Sequence, residues 1–116
     1  MIGGEYNKKV GGNVGSEAIN YIKRYNVDKA FIGSAGIDLE AEKVMNFELN
    51  DGNTKKEIMK ISKKIFLVTE YKKLGILGSY KFSNLSDFDV FICEKDKKDY
   101  LENYKKIFDE CEVKII

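Results

Sequence analysis

The stretch "FIGSAGID", residues 31–38, decides how this chain is read. A short apolar run, "KAFIG", enters a Gly-Ser-Ala-Gly turn and stops on an aspartate. Apolar residues without polar alternation suit a strand buried on both faces, as in a parallel sheet. Glycines around a small hydroxyl residue at such a strand end suit either of two purposes. A tight turn needs glycine's backbone freedom. A ligand, above all an anion, needs backbone amides displayed toward it.

Working outward, the same kind of run recurs. Upstream, "SEAINYIKRYNVDK" has Ser16 as a helix cap, with Ala18, Ile19, Ile22 and Tyr25 at helical spacing and Asn26 as the stop. Residues 1–15 are glycine-rich and read as a strand end and loop. Downstream, residues 38–53 carry a weak pattern, with a short extended piece before a turn at Asp51-Gly52. Thr54 caps a second helix, "KKEIMKISKK", with Ile58, Met59 and Ile61 inward. "IFLVT" is a second buried strand, "YKKLGILGS" a loop, "YKFSNL" a short strand and Ser86-Asp87 a turn. "FDVFIC" is a third buried strand. Residues 95–111 form an amphipathic helix with Tyr100, Leu101, Tyr104, Ile107 and Phe108 on one face, and "EVKII" is a last strand. Strands alternating with helices predict an α/β fold, a mainly parallel sheet with helices on both faces. "MIGG" resembles a strand end with no strand–helix unit before it, so the expectation is the later part of a larger protein that lacks the first such unit.

Composition narrows the function. A chain of 116 residues is one domain with a single modest core. Lys+Arg 20 against Asp+Glu 19 gives a net charge of +1, so no overall attraction to nucleic acid or a membrane surface is implied. No signal peptide and no bilayer-length apolar run is present, and a cytoplasmic location is expected. Cys93 and Cys111 sit far apart in apolar segments and read as free buried thiols. With no histidine, Ser-His-Asp and Cys-His catalysis and His-ligated metals are excluded. No metal or cofactor is expected, and neither GxGxxG nor GxxxxGK[ST] occurs.

In open α/β sheets, ligands sit beyond the carboxyl ends of the strands. That rule marks Gly33, Ser34 and Gly36, where amides and a hydroxyl can meet a ligand, although a plain turn also accounts for the glycines. It marks the "IGG" end with Gly3 and Gly4, and Lys72 and Lys73 after "IFLVT". Lysine there supplies a mobile positive charge for phosphate or carboxylate. Lys55 and Lys56 lie near the start of the second helix, where cations oppose the helix dipole unless an anion is close; solvent exposure is the simpler account. Asp38, Glu40, Glu42, Glu48 and Glu70 supply carboxylates, but no recognisable pair.

With these pieces in place, the sequence resembles the C-terminal effector-sensing domain of DeoR-family transcriptional repressors. The matching pieces, in order, are "IGG", "GGNVGSEAINYIKRYNVDKAFIGSAGID", "KKEIM", "KKLG" and "LSDFDVFIC". The resemblance covers residues 2–96 and implies a Rossmann-like architecture, similar to ribose-phosphate isomerase and glucosamine-phosphate deaminase. It implies binding of a phosphorylated sugar effector without turnover, in a homo-oligomer. The site would comprise Gly3, Gly4, Gly33, Ser34, Ala35, Gly36, Asp38, Lys56 and Lys73. DNA would be contacted only through an N-terminal helix-turn-helix, which residues 1–116 lack, as they lack the first strand and its phosphate loop. Glu70 stands where the family usually has aspartate before the loop lysine, and residues 42–52 match poorly. An isomerase- or deaminase-like enzyme and a degenerate oligomerisation domain are the alternatives.

Overall fold

The computed structural model describes residues 16–116. Its main sheet is parallel, with strands β1 (Val27–Ile32), β4 (Ser62–Val68), β6 (Val90–Ile92) and β7 (Lys114–Ile115) in the order β1-β4-β6-β7. The apolar runs form the later halves of β1 and β4, whose earlier halves carry exposed charged residues; Ile32 and Leu67 are buried, but Phe31 and Val68 stay exposed, so the expected burial on both faces does not hold there. Phe31 pairs with Phe66 and Leu67 with Phe91, which brings the ends of β1, β4 and β6 level with one another. A mainly parallel, Rossmann-like α/β sheet is what the sequence pattern predicts.

A second sheet was not anticipated. Strands β2 (Gly36–Asp38), β3 (Lys43–Asn46) and β5 (Tyr80–Asn84) pair antiparallel in the order β2-β3-β5. The "GSAG" turn therefore does not end in a loop; it runs straight into a hairpin strand. Gly36 is required there, because a Cβ would lie 2.1 Å from the Ile76 carbonyl oxygen.

Helix α1 is Ser16–Ile22, shorter than the expected run to Tyr25, and it packs against α2. Helix α2 is Leu49–Lys60. It starts earlier than the sequence suggests and runs through Asp51, Gly52 and Thr54, residues whose local pattern predicts a turn and a cap. Tertiary contacts override the turn chemistry here. The buried Asn46 amide donates to the Asp51 carboxylate at 2.6 Å, and the Tyr80 hydroxyl donates to Asn53 at 2.7 Å. The Tyr80 ring fills the space beside Gly52, and the Thr54 hydroxyl turns back to the Asn50 carbonyl.

The expected single helix after β6 is broken. It comprises a 3-10 turn at Lys95–Lys97, helix α3 (Lys98–Leu101), a 3-10 turn at Glu102–Tyr104 and helix α4 (Lys105–Glu110). Neither α3 nor α4 has a side-chain cap, and lysines at the start of the segment oppose the dipole of a continuous helix. Leu101 and Phe108 still reach the core, while Tyr104 and Ile107 are half-buried and Tyr100 is exposed. One apolar cluster joins both sheets to α2, α3 and α4: Ile32, Leu67 and Phe91 from the parallel sheet, Val44 and Phe82 from the hairpin sheet, Met59 from α2, Leu101 from α3 and Phe108 from α4. Phe108 tilts onto Phe91 with ring centroids 4.8 Å apart.

Candidate functional site

The level ends of β1, β4 and β6 leave a cleft of about 360 Å³, lined by Gly33, Ser34, Val68, Thr69, Glu70, Lys73, Ile92, Cys93 and Glu94. Each strand ends by exchanging its apolar run for small or polar residues, which bring hydroxyl and charged groups to this end of the sheet. The Thr69 amide donates to the Ile92 carbonyl at 3.1 Å, extending the β4–β6 ladder to the cleft floor. The Ser34 hydroxyl reaches the Thr69 hydroxyl at 3.5 Å. A Cβ at Gly33 would touch only the Val68 carbonyl oxygen, at 3.9 Å, so nothing among the described residues demands glycine there. Its missing side chain leaves the cleft open instead.

A 3-10 turn, Tyr71–Lys73, follows β4 and carries Lys73 to the cleft. Lys72 pairs with Glu70 at 3.2 Å, whereas the half-buried Lys73 has no ion pair among the described residues. Glu94 accepts the Tyr71 amide at 2.7 Å. That bond, followed by the residue's own amide and then by the Cys93 thiol and the Lys97 ammonium, holds the Glu94 carboxyl below the usual carboxylate range. Burial, with Glu94 beside it, pushes the Cys93 thiol up to about 11, so it is protonated near neutrality and a poor nucleophile. Cys93 and Cys111 are both free thiols.

Of the residues singled out in the sequence, Gly33, Ser34 and Lys73 line this cleft together. Ala35 and Gly36 do not: the Ala35 amide donates to the Met45 carbonyl at 3.0 Å, and Gly36 pairs with Met45 in the hairpin. Asp38 accepts the Ala41 amide at 3.1 Å in the hairpin turn. Lys56 is exposed on α2 and is not among the lining residues. Its neighbour Lys55 reaches the strand end instead, donating to the Gly33 carbonyl at 3.0 Å. Gly3 and Gly4 lie outside the described residues. Thr69 and Glu94 were not selected from the sequence, although each is among the first polar residues after an apolar run, as Ser34 is.

A mainly parallel, Rossmann-like sheet with a cleft at its strand ends is the α/β architecture in which ligands sit beyond the carboxyl ends of the strands. The family model of the DeoR C-terminal sensor domain matches residues 1–95, and the chain belongs to that family. It is similar to the HTH-type transcriptional repressor GlcR of Bacillus subtilis, 28% identical over 95 residues, 82% of this chain and 36% of the repressor. It is 26% identical over 90 residues to the glycerol-3-phosphate regulon repressor of Escherichia coli, 78% of this chain and 35% of that protein. An uncharacterized HTH-type transcriptional regulator of Haemophilus influenzae is 31% identical over 93 residues, 80% of this chain and 36% of that one. The chain thus spans about a third of the length of the curated relatives it matches.

Proposed function

We propose that residues 1–116 act as one sensor domain of a transcriptional repressor, binding a phosphorylated sugar or polyol in the strand-end cleft without transforming it. The observation that carries this reading is Lys73, a half-buried ammonium without an ion pair among the described residues, facing a cleft with the Ser34 and Thr69 hydroxyls. An ammonium suits the phosphate, and the Ser34 and Thr69 hydroxyls suit the ligand's own hydroxyls. One relative is named for glycerol 3-phosphate, a compound of this chemistry. Gly3 and Gly4 complete the proposed site, on the strength of the family resemblance.

Turnover is disfavoured by the groups at hand. Histidine is absent, the Cys93 thiol stays protonated, and the Glu94 carboxylate is committed to a backbone amide. In this reading DNA is bound by a helix-turn-helix elsewhere in the full protein, and ligand binding shifts the balance between its arrangements. A cytoplasmic location and a homo-oligomer belong to the same reading. No described helix is long and apolar enough to cross a membrane. Phe47, Leu49 and Leu77, each more than half exposed, are candidates for subunit contact.

A thermal-shift screen against pentose, hexose, amino-sugar and polyol phosphates tests this, with the free sugars and inorganic phosphate as controls. A specific binder at about 100 times its Kd stabilises the fold by roughly 2.7 kcal/mol. A shift with one phosphorylated compound and none with its free counterpart is expected. No shift with any of them refutes the sensor reading for these residues.

A further inference from the structure

We propose that Glu94 is a positioning residue for Lys73, the remote cap that holds the lysine-bearing turn over the cleft. The inference rests on reading the cleft as a phosphate site. A 3-10 turn leaves its first amides without partners inside the turn. The residue placed to cap Tyr71–Lys73 is Glu70, and its side chain makes no capping bond; it pairs with Lys72 instead. The acceptor comes from across the sheet. Glu94, just beyond β6, takes the Tyr71 amide at 2.7 Å, a charge-assisted bond.

The same segment holds Tyr71 by its ring. The Lys97 ammonium sits 4.6 Å from the Tyr71 ring centroid, and the Tyr100 ring meets it edge-on at 5.2 Å. Within the turn, the Lys73 amide donates to the Glu70 carbonyl and the Leu74 amide to the Tyr71 carbonyl. Lys73 is therefore fixed in a frame whose first amide is tied to Glu94. Without that tie the start of the turn is held by Tyr71's ring, while its end stays anchored by buried Leu74, bridged to Ile37, and by the Gly75 amide, which donates to the Ile37 carbonyl at 2.8 Å. The lysine would then be held less firmly at the cleft that Ser34 and Thr69 also line. A purely structural cap predicts lost stability and unchanged affinity; a positioning residue predicts lost affinity that glutamine restores, because its carbonyl oxygen can accept the same amide.

The test titrates the whole chain with inorganic phosphate, following amide resonances by NMR, and measures exchange of the Tyr71 amide in the same samples. Wild type, Glu94→Ala, Glu94→Asp, Glu94→Gln and Lys73→Ala are compared. Glu94→Ala and the shortened Glu94→Asp are expected to weaken phosphate about tenfold and to speed Tyr71 exchange. Glu94→Gln is expected to keep Tyr71 exchange near wild type and phosphate affinity at or above it, because it also removes a negative charge from the cleft lining. If Glu94→Ala does not fold, Glu94→Asp carries the comparison. Binding lost in Lys73→Ala but kept in the folded Glu94 variants overturns this inference alone. No saturable phosphate binding by wild type overturns the phosphate reading, and the inference with it.

Discussion

The Lys55 ammonium donates to the Gly33 carbonyl across 3.0 Å, fastening α2 to the end of β1. It also reaches the Asn46 side chain at 3.5 Å and pairs with Asp51 at 3.4 Å, with a side chain only 21% exposed. One cation thus joins the strand end, the hairpin and the first turns of α2. Lys55→Met keeps most of the stem but leaves the Gly33 carbonyl and Asp51 without their cation. We expect a loss of about 1.5–3 kcal/mol, the range for hydrogen bonds to charged groups, read as a lower urea midpoint. Lys56→Met, on exposed α2 surface, should stay within about 0.5 kcal/mol of wild type. Equal midpoints for the two variants would contradict the fastening role.

The two glycines of "GSAG" should separate stability from binding. A methyl at Gly36 collides with the Ile76 carbonyl, a backbone atom that cannot swing aside. Gly36→Ala is expected to cost about 1–3 kcal/mol or more. Gly33→Ala meets no such obstacle and should leave the melting temperature nearly unchanged, yet its methyl enters the cleft and should weaken the ligand found in the thermal screen. Thermal melts and titrations of both variants check this; a stability loss at Gly33 to match that at Gly36 would defeat it.

Legibility in the sequence followed how far each element is stabilised by its own residues. β1, β4 and β6 were visible because each ends in a short apolar run that supplies core residues such as Ile32, Leu67 and Phe91, and the strand-end rule then led to Ser34 and Lys73. The hairpin β2–β3 was hidden by its length and by Asp38, Glu40, Glu42 and Lys43, which read as loop. The start of α2 was hidden too: Asn50, Asp51, Gly52 and Asn53 favour turns, and the helix takes them with Asn46, at the end of β3, bound to Asp51 and the distant Tyr80 bound to Asn53. Lys55 and Glu94 act through carbonyl and amide partners that no local motif announces.

Acid should release Glu94. Its carboxyl is held below the ordinary range, chiefly by the Tyr71 amide, so the ionised form stabilises the fold above the ordinary value of about 4.3. That contribution is lost as pH falls through the ordinary value and then the lowered one. Lys97 faces it from its own segment, Cys93 adjoins it, and Glu70 and Lys73 line the same cleft. Glu94→Gln cannot titrate. The melting-temperature difference between wild type and this variant should therefore be positive at pH 7 and shrink toward pH 3; a constant difference would rule out the linkage.

Cys93 should be slow to alkylate. With its thiol pushed up to about 11, little thiolate exists near neutrality, although higher basicity makes each thiolate a better nucleophile. Taken together, these predict reaction at pH 7.5 roughly tenfold or more slower than a free cysteine, before steric protection is counted. The rate should keep climbing past pH 9, where a free thiol levels off. Iodoacetamide labelling with peptide mass analysis resolves Cys93 from Cys111, and a plateau below pH 9 at Cys93 would contradict the assignment.

Lys72 and Lys73 are neighbours with opposite commitments, which makes them a matched pair. Lys72 is exposed and spent on Glu70, so Lys72→Ala should change neither fold nor ligand affinity appreciably. Lys73 is half-buried in the cleft wall with no ion pair among the described residues, so its charge is available to an incoming anion. Lys73→Ala removes no ion pair seen in the described structure, and its stability cost should stay within about 0.5–1 kcal/mol. Loss of a charge-assisted contact to phosphate should weaken binding roughly 10- to 100-fold. Calorimetric titration of both variants with the compound found in the thermal screen reads this directly. Unchanged affinity in Lys73→Ala would remove that lysine from the site, and an equal loss in Lys72→Ala would show that overall charge, not position, governs binding.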